Sequence, residues 1–148
     1  MMKCFIDTNV LVYARDRNEP SKRTKASAWL EKLRKAEAGV LSAQVLREYY
    51  ARVTLARRPL LDPERARADV RALLPWVADE AWHDDLERTW DLQDRYRLSF
   101  WDSLLLASAR ASSCDCFLSE DMHHGLDVDG VVILNPFLSK SEDLVFGS

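Results

Sequence analysis

Residues Cys4–Tyr13 read CFIDTNVLVY, an apolar run that a single aspartate, Asp7, interrupts. An unpaired carboxylate in apolar surroundings costs several kcal/mol, so such a residue is usually paired, solvated or bound to a cation. Residues 3–6 predict a short buried strand that ends at Asp7, and residues 9–14 predict a helix. The question this stretch raises is what Asp7 does where the first strand ends.

The length and composition of the chain predict one domain without a membrane segment. Its 148 residues contain no linker and no internal repeat, so we expect a single domain over residues 1–148, with a core from about 3 to 137 and a short C-terminal tail. Asp7 interrupts the N-terminal apolar run before a signal peptide could form, and no apolar run reaches the ~18 residues of a membrane helix. We therefore expect a cytoplasmic protein.

Charge is distributed unevenly along the chain. The net charge is −3 at pH 7, but residues 1–75 carry 16 Lys and Arg against 9 Asp and Glu, whereas residues 76–148 carry 5 against 15. The basic half includes KRTK at 22–25 and KLRK at 32–35. These clusters are either a surface for a phosphate backbone or the solvated face of a helix, and the sequence leaves both open.

The cysteines favour a reducing compartment. Cys4, Cys114 and Cys116 make an odd number without the spacing of a disulfide framework. Cys114 and Cys116 precede His123-His124, but neither pair has the spacing of a common zinc motif. We therefore expect no zinc site.

Apolar periodicity predicts helices that alternate with short strands. A helix that begins at Pro20 or Ser21 has the i, i+3, i+4, i+7 spacing of an amphipathic helix, and Gly39 is expected to close it. The other predicted elements are a strand at Val40–Leu41, a helix from Ser42 to about Ala56, a helix from Asp62-Pro63 to about Leu74, a helix over residues 84–96 with Leu86, Trp90 and Tyr96 facing inward, a helix capped by Ser99, and strands at Cys116–Leu118 and Val131–Leu134.

These elements predict an α/β fold whose polar residues gather at one edge. Short continuous apolar strands separated by helices indicate a parallel sheet that is covered on both faces. In such folds ligands bind beyond the carboxyl ends of the strands. Asp7 follows the first strand and Asp121 follows the third, so we expect two acids from distant parts of the chain at the same edge.

Two further acids are candidates for that edge. Glu48 borders the apolar stripe of the helix after the second strand, and Asp102 lies in the first turn of the helix capped by Ser99. Each acid has a structural alternative, as a cap, a dipole partner or a solvated side chain. Carboxylates that converge repel one another, so one is protonated or a hard cation is bound. Oxygen ligands without Cys or His favour Mg²⁺ or Mn²⁺, which activates water at a phosphoryl centre.

Four stretches together resemble the motif blocks of the PIN-domain nucleases, with the greatest likeness to VapC-type toxins of bacterial toxin–antitoxin pairs. They span nearly the whole chain in the family's order: FIDTNVLVY (5–13), SAQVLREYY (42–50), SFWDSLLLASA (99–109) and FLSEDMHHGLDVDGVVILNPF (117–137). The resemblance implies a three-layer α/β/α sandwich with a short, mainly parallel sheet, a homodimer, and Mg²⁺- or Mn²⁺-dependent endonucleolytic cleavage of RNA. It also implies a small antitoxin protein that blocks the site.

The same resemblance implies roles for individual residues. The carboxylates would hold one or two metal ions for in-line attack of water on a phosphodiester, which leaves a 5′-phosphate and a 3′-hydroxyl. Ser119 would orient the site, and Thr8 or Asn9 would support it. The family's quartet of catalytic, metal-binding acids falls on Asp7, Glu48, Asp102 and Asp121. Candidate apolar anchors for the antitoxin, each with core packing as its alternative, are Tyr49, Tyr50, Trp76 and Trp82.

Two other functional classes compete with the nuclease. A phosphotransfer domain of the HAD or receiver type also has acids after its first strand, but it needs a second Asp where this chain has Asn9, or a Lys after a late strand. A non-catalytic RNA- or partner-binding module would share the nuclease fold without its chemistry, because a fold does not prove an activity.

Overall fold

The structure, a computed structural model, describes residues 2–78 and 86–138. In chain order its elements are β1 (Cys4–Ile6), α1 (Thr8–Tyr13), α2 (Pro20–Ala36), β2 (Gly39–Val40), α3 (Ala43–Thr54), α4 (Pro63–Leu73), a 3-10 helix (Leu74–Trp76), α5 (Leu86–Tyr96), α6 (Phe100–Ala111), β3 (Cys116–Leu118), β4 (Asp127–Val128) and β5 (Val131–Leu134).

The five strands form one sheet in the order β2-β1-β3-β5-β4, with every neighbouring pair parallel except β4 and β5. Helices α1 to α4 pack on one another, and α5 packs on α6, which contacts β3 and β5. The predicted α/β/α sandwich with a mainly parallel sheet is therefore confirmed. No helix in the two described ranges has the length and apolar composition that crossing a membrane requires.

The middle of the sheet is the centre of the core. All residues of β1 and β3 are buried, and Phe5 stacks on Phe117 in the neighbouring strand with ring centroids 5.2 Å apart. Helices cover both flanks of these strands, which explains why they read as continuous apolar runs without alternation. Asp7 thus follows a strand that has no solvent-facing side.

The strand register also pairs two cysteines that the sequence did not connect. Cys4 and Cys116 are partners across β1 and β3, with Cα atoms 4.6 Å apart, and they form a disulfide. Spacing along the chain could not indicate this pair, because 112 residues separate its members and only the sheet brings them together. Cys114 is a buried free thiol whose pKa is raised to about 12 by burial.

Gly39 does not close α2 as predicted. The residue in the left-handed conformation at that helix end is Glu37, with φ 52°, and Gly39 begins β2 instead. The reason for a glycine is packing: a Cβ at position 39 would overlap the indole ring of Trp76. Glycine is therefore required at position 39 because the backbone there lies close to Trp76, and not because a helix ends there.

The predicted inner face of α5 is wrong for Leu86 and Trp90, whereas Tyr96 is partly buried and packs against the core as predicted. Leu86 and Trp90 are 44% and 45% exposed, and Thr89 and Leu92 are the buried residues of this helix. The prediction placed the largest apolar side chains inward, whereas the packing of α5 on α6 selects a neighbouring stripe. The predicted start of this helix at Asp84 lies outside the described residues, as does Trp82. The two-residue strand β4 was not predicted, because its pairing depends on the turn into β5.

Candidate active site

The sheet's backbone hydrogen bonds place two polar residues side by side at the carboxyl ends of the strands. The amide of Asp7 donates to Leu118 O at 3.0 Å, and the amide of Ser119 donates to Leu134 O at 3.0 Å. These bonds continue the ladders of β1, β3 and β5 by one residue. Asp7 and Ser119 therefore lie next to each other, each one residue beyond the end of its strand.

Asp7 is both a helix cap and the buried centre of the site. Its Oδ1 accepts a hydrogen bond from the backbone amide of Thr8 at 2.7 Å, as the N-cap of α1. Its Oδ2 accepts a bond from the hydroxyl of Ser119 at 2.8 Å, and only 8% of the residue is exposed. Asp7 can therefore be a helix cap and a residue of the site at the same time, because its two carboxylate oxygens accept hydrogen bonds from different partners.

Burial raises the pKa of Asp7 to about 6. The hydrogen bonds from Ser119 and Thr8 oppose this shift, and the negative charges of Asp102 and Asp121 add to it. Like charges raise a carboxyl pKa only over short distances. Three of the four predicted acids therefore belong to one electrostatic site.

Asn9 and Ser119 hold Asp121. The side-chain amide of Asn9 donates from Nδ2 to Asp121 Oδ2 at 2.8 Å, and the backbone amide of Asp121 donates to Ser119 Oγ at 3.2 Å. Asn9 is buried, and its Oδ1 has no hydrogen-bond partner among the described residues. That oxygen is therefore a buried acceptor that could receive a hydrogen bond or contact a cation.

Thr8 brings in the fourth acid, Glu48. Its hydroxyl donates to Glu48 Oε2 at 2.9 Å, and Gln44, one turn earlier on α3, donates from Nε2 to Oε1 at 3.2 Å. The position of Glu48 at the border of the apolar stripe is what allows this contact. Both Thr8 and Asn9 thus contact an acid of the quartet.

Asp102 joins the site through its charge. Its backbone amide donates to the Ser99 hydroxyl at 3.1 Å, which fixes the first turn of α6, and the residue is half-buried. Within residues 2–78 and 86–138 its carboxylate makes no hydrogen bond. The structure therefore connects Asp7, Glu48 and Asp121 through intervening polar groups and leaves Asp102 as the free carboxylate.

The donor chemistry of the site fits a hard divalent cation. Nowhere in the described ranges do three His, Cys, Asp or Glu side chains converge closely enough to hold a metal ion. The available ligands are nevertheless all oxygens, namely carboxylates and the unpaired Asn9 Oδ1, which suit Mg²⁺ or Mn²⁺. A cation would also offset the repulsion that raises the pKa of Asp7.

An ion pair beside the site was not anticipated. Glu120, between Ser119 and Asp121, pairs with Lys22, whose ammonium lies 4.6 Å from the centroid of the Tyr13 ring. In the sequence, Lys22 belongs to a basic cluster that is either a surface for a phosphate backbone or the solvated face of a helix. Glu120 is a possible partner for a lysine, but no pattern in the sequence indicated that it would lie beside α2.

A mainly parallel α/β sheet with one buried, one half-buried and two exposed acids at its carboxyl edge defines an acidic, oxygen-donor class of site. The sequence model of the PIN domain family matches residues 4–124, and the chain belongs to that family. PIN domains are generally nucleases that use a divalent metal ion. The matched range contains all four acids.

Comparison with solved structures agrees on the fold. A chain in the crystal structure of VapBC2 from Rickettsia felis, bound to a DNA fragment from its promoter, superposes with a TM-score of 0.58 and 16% sequence identity. The match covers 89% of the present chain and 97% of that chain. No curated protein matches the sequence.

Proposed function

We propose that this protein is a Mg²⁺- or Mn²⁺-dependent endoribonuclease and the VapC-type toxin of a toxin–antitoxin pair. The observation that carries the proposal is Asp7, a buried carboxylate whose pKa responds to two further acids at the same sheet edge. Membership of the PIN family and the fold shared with a VapBC2 chain support the same assignment.

The proposed metal ligands are Asp7, Asp102 and Asp121, with Glu48 completing the quartet. Polar neighbours position three of these acids: Ser119 holds Asp7, Asn9 holds Asp121, and Thr8 holds Glu48. When bound, the ion supplies a water activated as nucleophile and positive charge for the phosphoryl oxygens.

The chemistry we propose is hydrolysis of an RNA phosphodiester. The oxygen of water bonds to phosphorus in line with the departing 3′ oxygen, the P–O3′ bond breaks, and a proton returns to that oxygen. The products are a 5′-phosphate and a 3′-hydroxyl. Asp7 aids this step only when ionised, since a protonated carboxyl neither binds a cation nor accepts a proton.

A groove between α3 and α4 is the docking surface that we propose for the antitoxin. It has a volume of about 560 Å³, and Leu46, Val70 and Leu74 give it an apolar floor. Its remaining lining residues include three cations and an aromatic: Arg47, Arg67, Arg71 and Tyr50. The charge favours an acidic, amphipathic segment of the partner.

Of the proposed antitoxin anchors, Tyr50 lines the groove. Trp76 is not one of its lining residues, and the indole ring of Trp76 lies against Gly39. Tyr49 is unsuitable, because it is 2% exposed and donates its hydroxyl to Asp69 at 2.6 Å. A homodimer and a cytoplasmic location remain part of the proposal on the family resemblance alone.

An RNA cleavage assay distinguishes the proposed nuclease from the competing functional classes. Membership of the PIN family excludes the phosphotransfer alternative, whereas a non-catalytic PIN module would bind RNA or a partner and cleave no RNA. Wild type should cleave RNA in Mg²⁺ and stop in excess EDTA, and Asp121→Asn should lose at least a hundredfold in rate because it removes a proposed ligand. Asp94→Asn, an exposed acid on α5, is the matched control and should retain activity. Equal cleavage by wild type with and without EDTA would overturn the metal mechanism.

A further inference from the structure

An exposed tryptophan is adjacent in sequence to an acid of the site. Trp101 is 60% exposed and immediately precedes Asp102 in the first turn of α6. Tryptophan buries more apolar area than most side chains when it packs, so exposure of this extent leaves much of a large planar surface open to solvent. None of the roles assigned so far uses this ring.

The turn that presents Trp101 is held in place by its neighbours. Ser99 caps α6, and the hydroxyl of the fully buried Ser103 donates to Ser99 O at 2.8 Å. The Phe100 ring meets the Trp101 ring edge-on, with centroids 5.2 Å apart and planes at 72°. A ring fixed in this way binds a ligand with little loss of side-chain freedom.

A cationic residue precedes the same turn. Arg97 is exposed, has φ 54° in the turn between α5 and α6, and forms no ion pair within the described part of the chain. An arginine and a flat aromatic ring four residues apart offer one contact for a phosphate and one for a base. Aromatic rings stack on the faces of unpaired bases, which are inaccessible inside a duplex.

We infer that Trp101 stacks on an unpaired base next to the scissile phosphate and that Arg97 contacts an adjacent phosphate. The stacked nucleotide must then be unpaired, and the ring gives little preference for the identity of its base. This inference rests on the proposed ribonuclease function, because it assigns two residues to substrate contacts at that same site.

The test is an abasic scan of a short single-stranded RNA, bound to the non-cleaving Asp121→Asn protein. One abasic position should weaken binding roughly 5- to 150-fold, the range for loss of one base–aromatic stack. Adding Trp101→Leu should weaken binding of the intact RNA by the same factor and abolish the penalty at that position alone. Trp101→Phe should retain most of the penalty. Trp90→Leu removes an exposed tryptophan from α5 and should change nothing.

Arg97→Gln separates the phosphate contact from the base contact. It should lower the salt slope of binding by about one unit for every RNA in the scan, without regard to the abasic position. An unchanged slope would remove Arg97 from the inference.

Two results would overturn the role of Trp101. One is equal binding and cleavage by wild type and Trp101→Leu; the other is a Trp101→Leu protein that changes its oligomeric state but not its affinity for RNA, which would assign the ring to a protein contact. Failure of the proposed function looks different, since wild type would then cleave no RNA in Mg²⁺.

Discussion

Ser119 donates its hydroxyl to Asp7 at 2.8 Å, although 112 residues separate the two in sequence. The bond stabilises the ionised form of Asp7, whereas burial stabilises the protonated form, and burial has the larger effect. The carboxyl group therefore titrates at about pH 6, close to neutrality. Small changes at the site should therefore change the charge of Asp7 near neutral pH.

The Asp7→Asn variant should be more stable than wild type at neutral pH when no metal is present. The pKa of Asp7 is about 6 in the folded protein and 3.8 as its ordinary value, so the folded state binds the proton more tightly. Wild type therefore loses stability as pH rises from about 4 to about 6, by at most about 3 kcal/mol. Asn carries no such charge. Urea unfolding in EDTA should show similar stability at pH 4 and an advantage for Asp7→Asn at pH 7.5. A variant that is less stable at both pH values would contradict the raised pKa, because burial of the Asp7 charge would then cost no stability at pH 7.5.

Removal of the Ser119 hydroxyl should move the pH dependence of cleavage upward. The hydrogen bond lowers the pKa of Asp7, so Ser119→Ala should raise that pKa further above its wild-type value. Activity requires the ionised carboxylate, so the rising limb of the pH–rate profile should move to higher pH at fixed Mg²⁺. Ser42→Ala is the matched control, because it deletes the cap of α3 and should lower stability without moving the profile. Identical profiles for all three proteins would show that the Ser119 hydrogen bond does not affect the ionisation of Asp7.

The basic cluster on α2 should contribute less to RNA binding than its sequence indicates. Lys22 is already paired with Glu120, whereas Arg23 forms no ion pair among the described residues and Lys25 contacts only the carbonyl of Phe137. Neutralising Arg23 and Lys25 together should lower the salt slope of RNA binding by up to about two units. Lys22→Gln alone should leave the slope unchanged. If instead Lys22→Gln lowers it by a full unit, Lys22 exchanges Glu120 for a phosphate on binding.

The groove between α3 and α4 should determine antitoxin affinity. Leu74 is 54% exposed on its floor, and Arg71 lines it one turn earlier. With the purified cognate antitoxin, Leu74→Glu should weaken binding at least tenfold, because it places a charge in the apolar contact and repels an acidic partner. Leu55→Glu, at a more exposed leucine outside this groove, is the control for a surface charge. Equal losses for the two variants would relocate the docking surface.

Much of the fold followed from local sequence signals. The strands β1, β3 and β5 were predicted because each is a short apolar run between helical patterns, and α3 and α6 because Ser42 and Ser99 cap them as expected. The predicted ends of elements were less accurate where tertiary packing determines the residue type, as it does for Gly39, which packs against Trp76. The buried stripe of α5 could not be predicted, since several apolar residues compete and only the position of α6 decides among them.

The site followed from the fold in the same way. Strand ends converge in a parallel sheet, so Asp7 and Asp121 were predicted together, and the motif resemblance added Glu48 and Asp102. The contacts among them depend on hydrogen bonds across more than a hundred residues, such as Asn9 to Asp121, which no local pattern encodes. The Cys4–Cys116 pair and the Lys22–Glu120 pair escaped prediction for the same reason.

The central claim is that Asp7 and its neighbouring acids bind a divalent cation, and the gain in melting temperature on adding Mg²⁺ tests it most directly. At a hundredfold excess over Kd, Mg²⁺ should stabilise wild type by about 2.7 kcal/mol, or roughly 5–10 °C for a domain of this size. The control Asp94→Asn should gain as much, and Asp7→Asn should gain far less. Equal gains in wild type and Asp7→Asn would contradict the account, because Asp7 would then bind no metal.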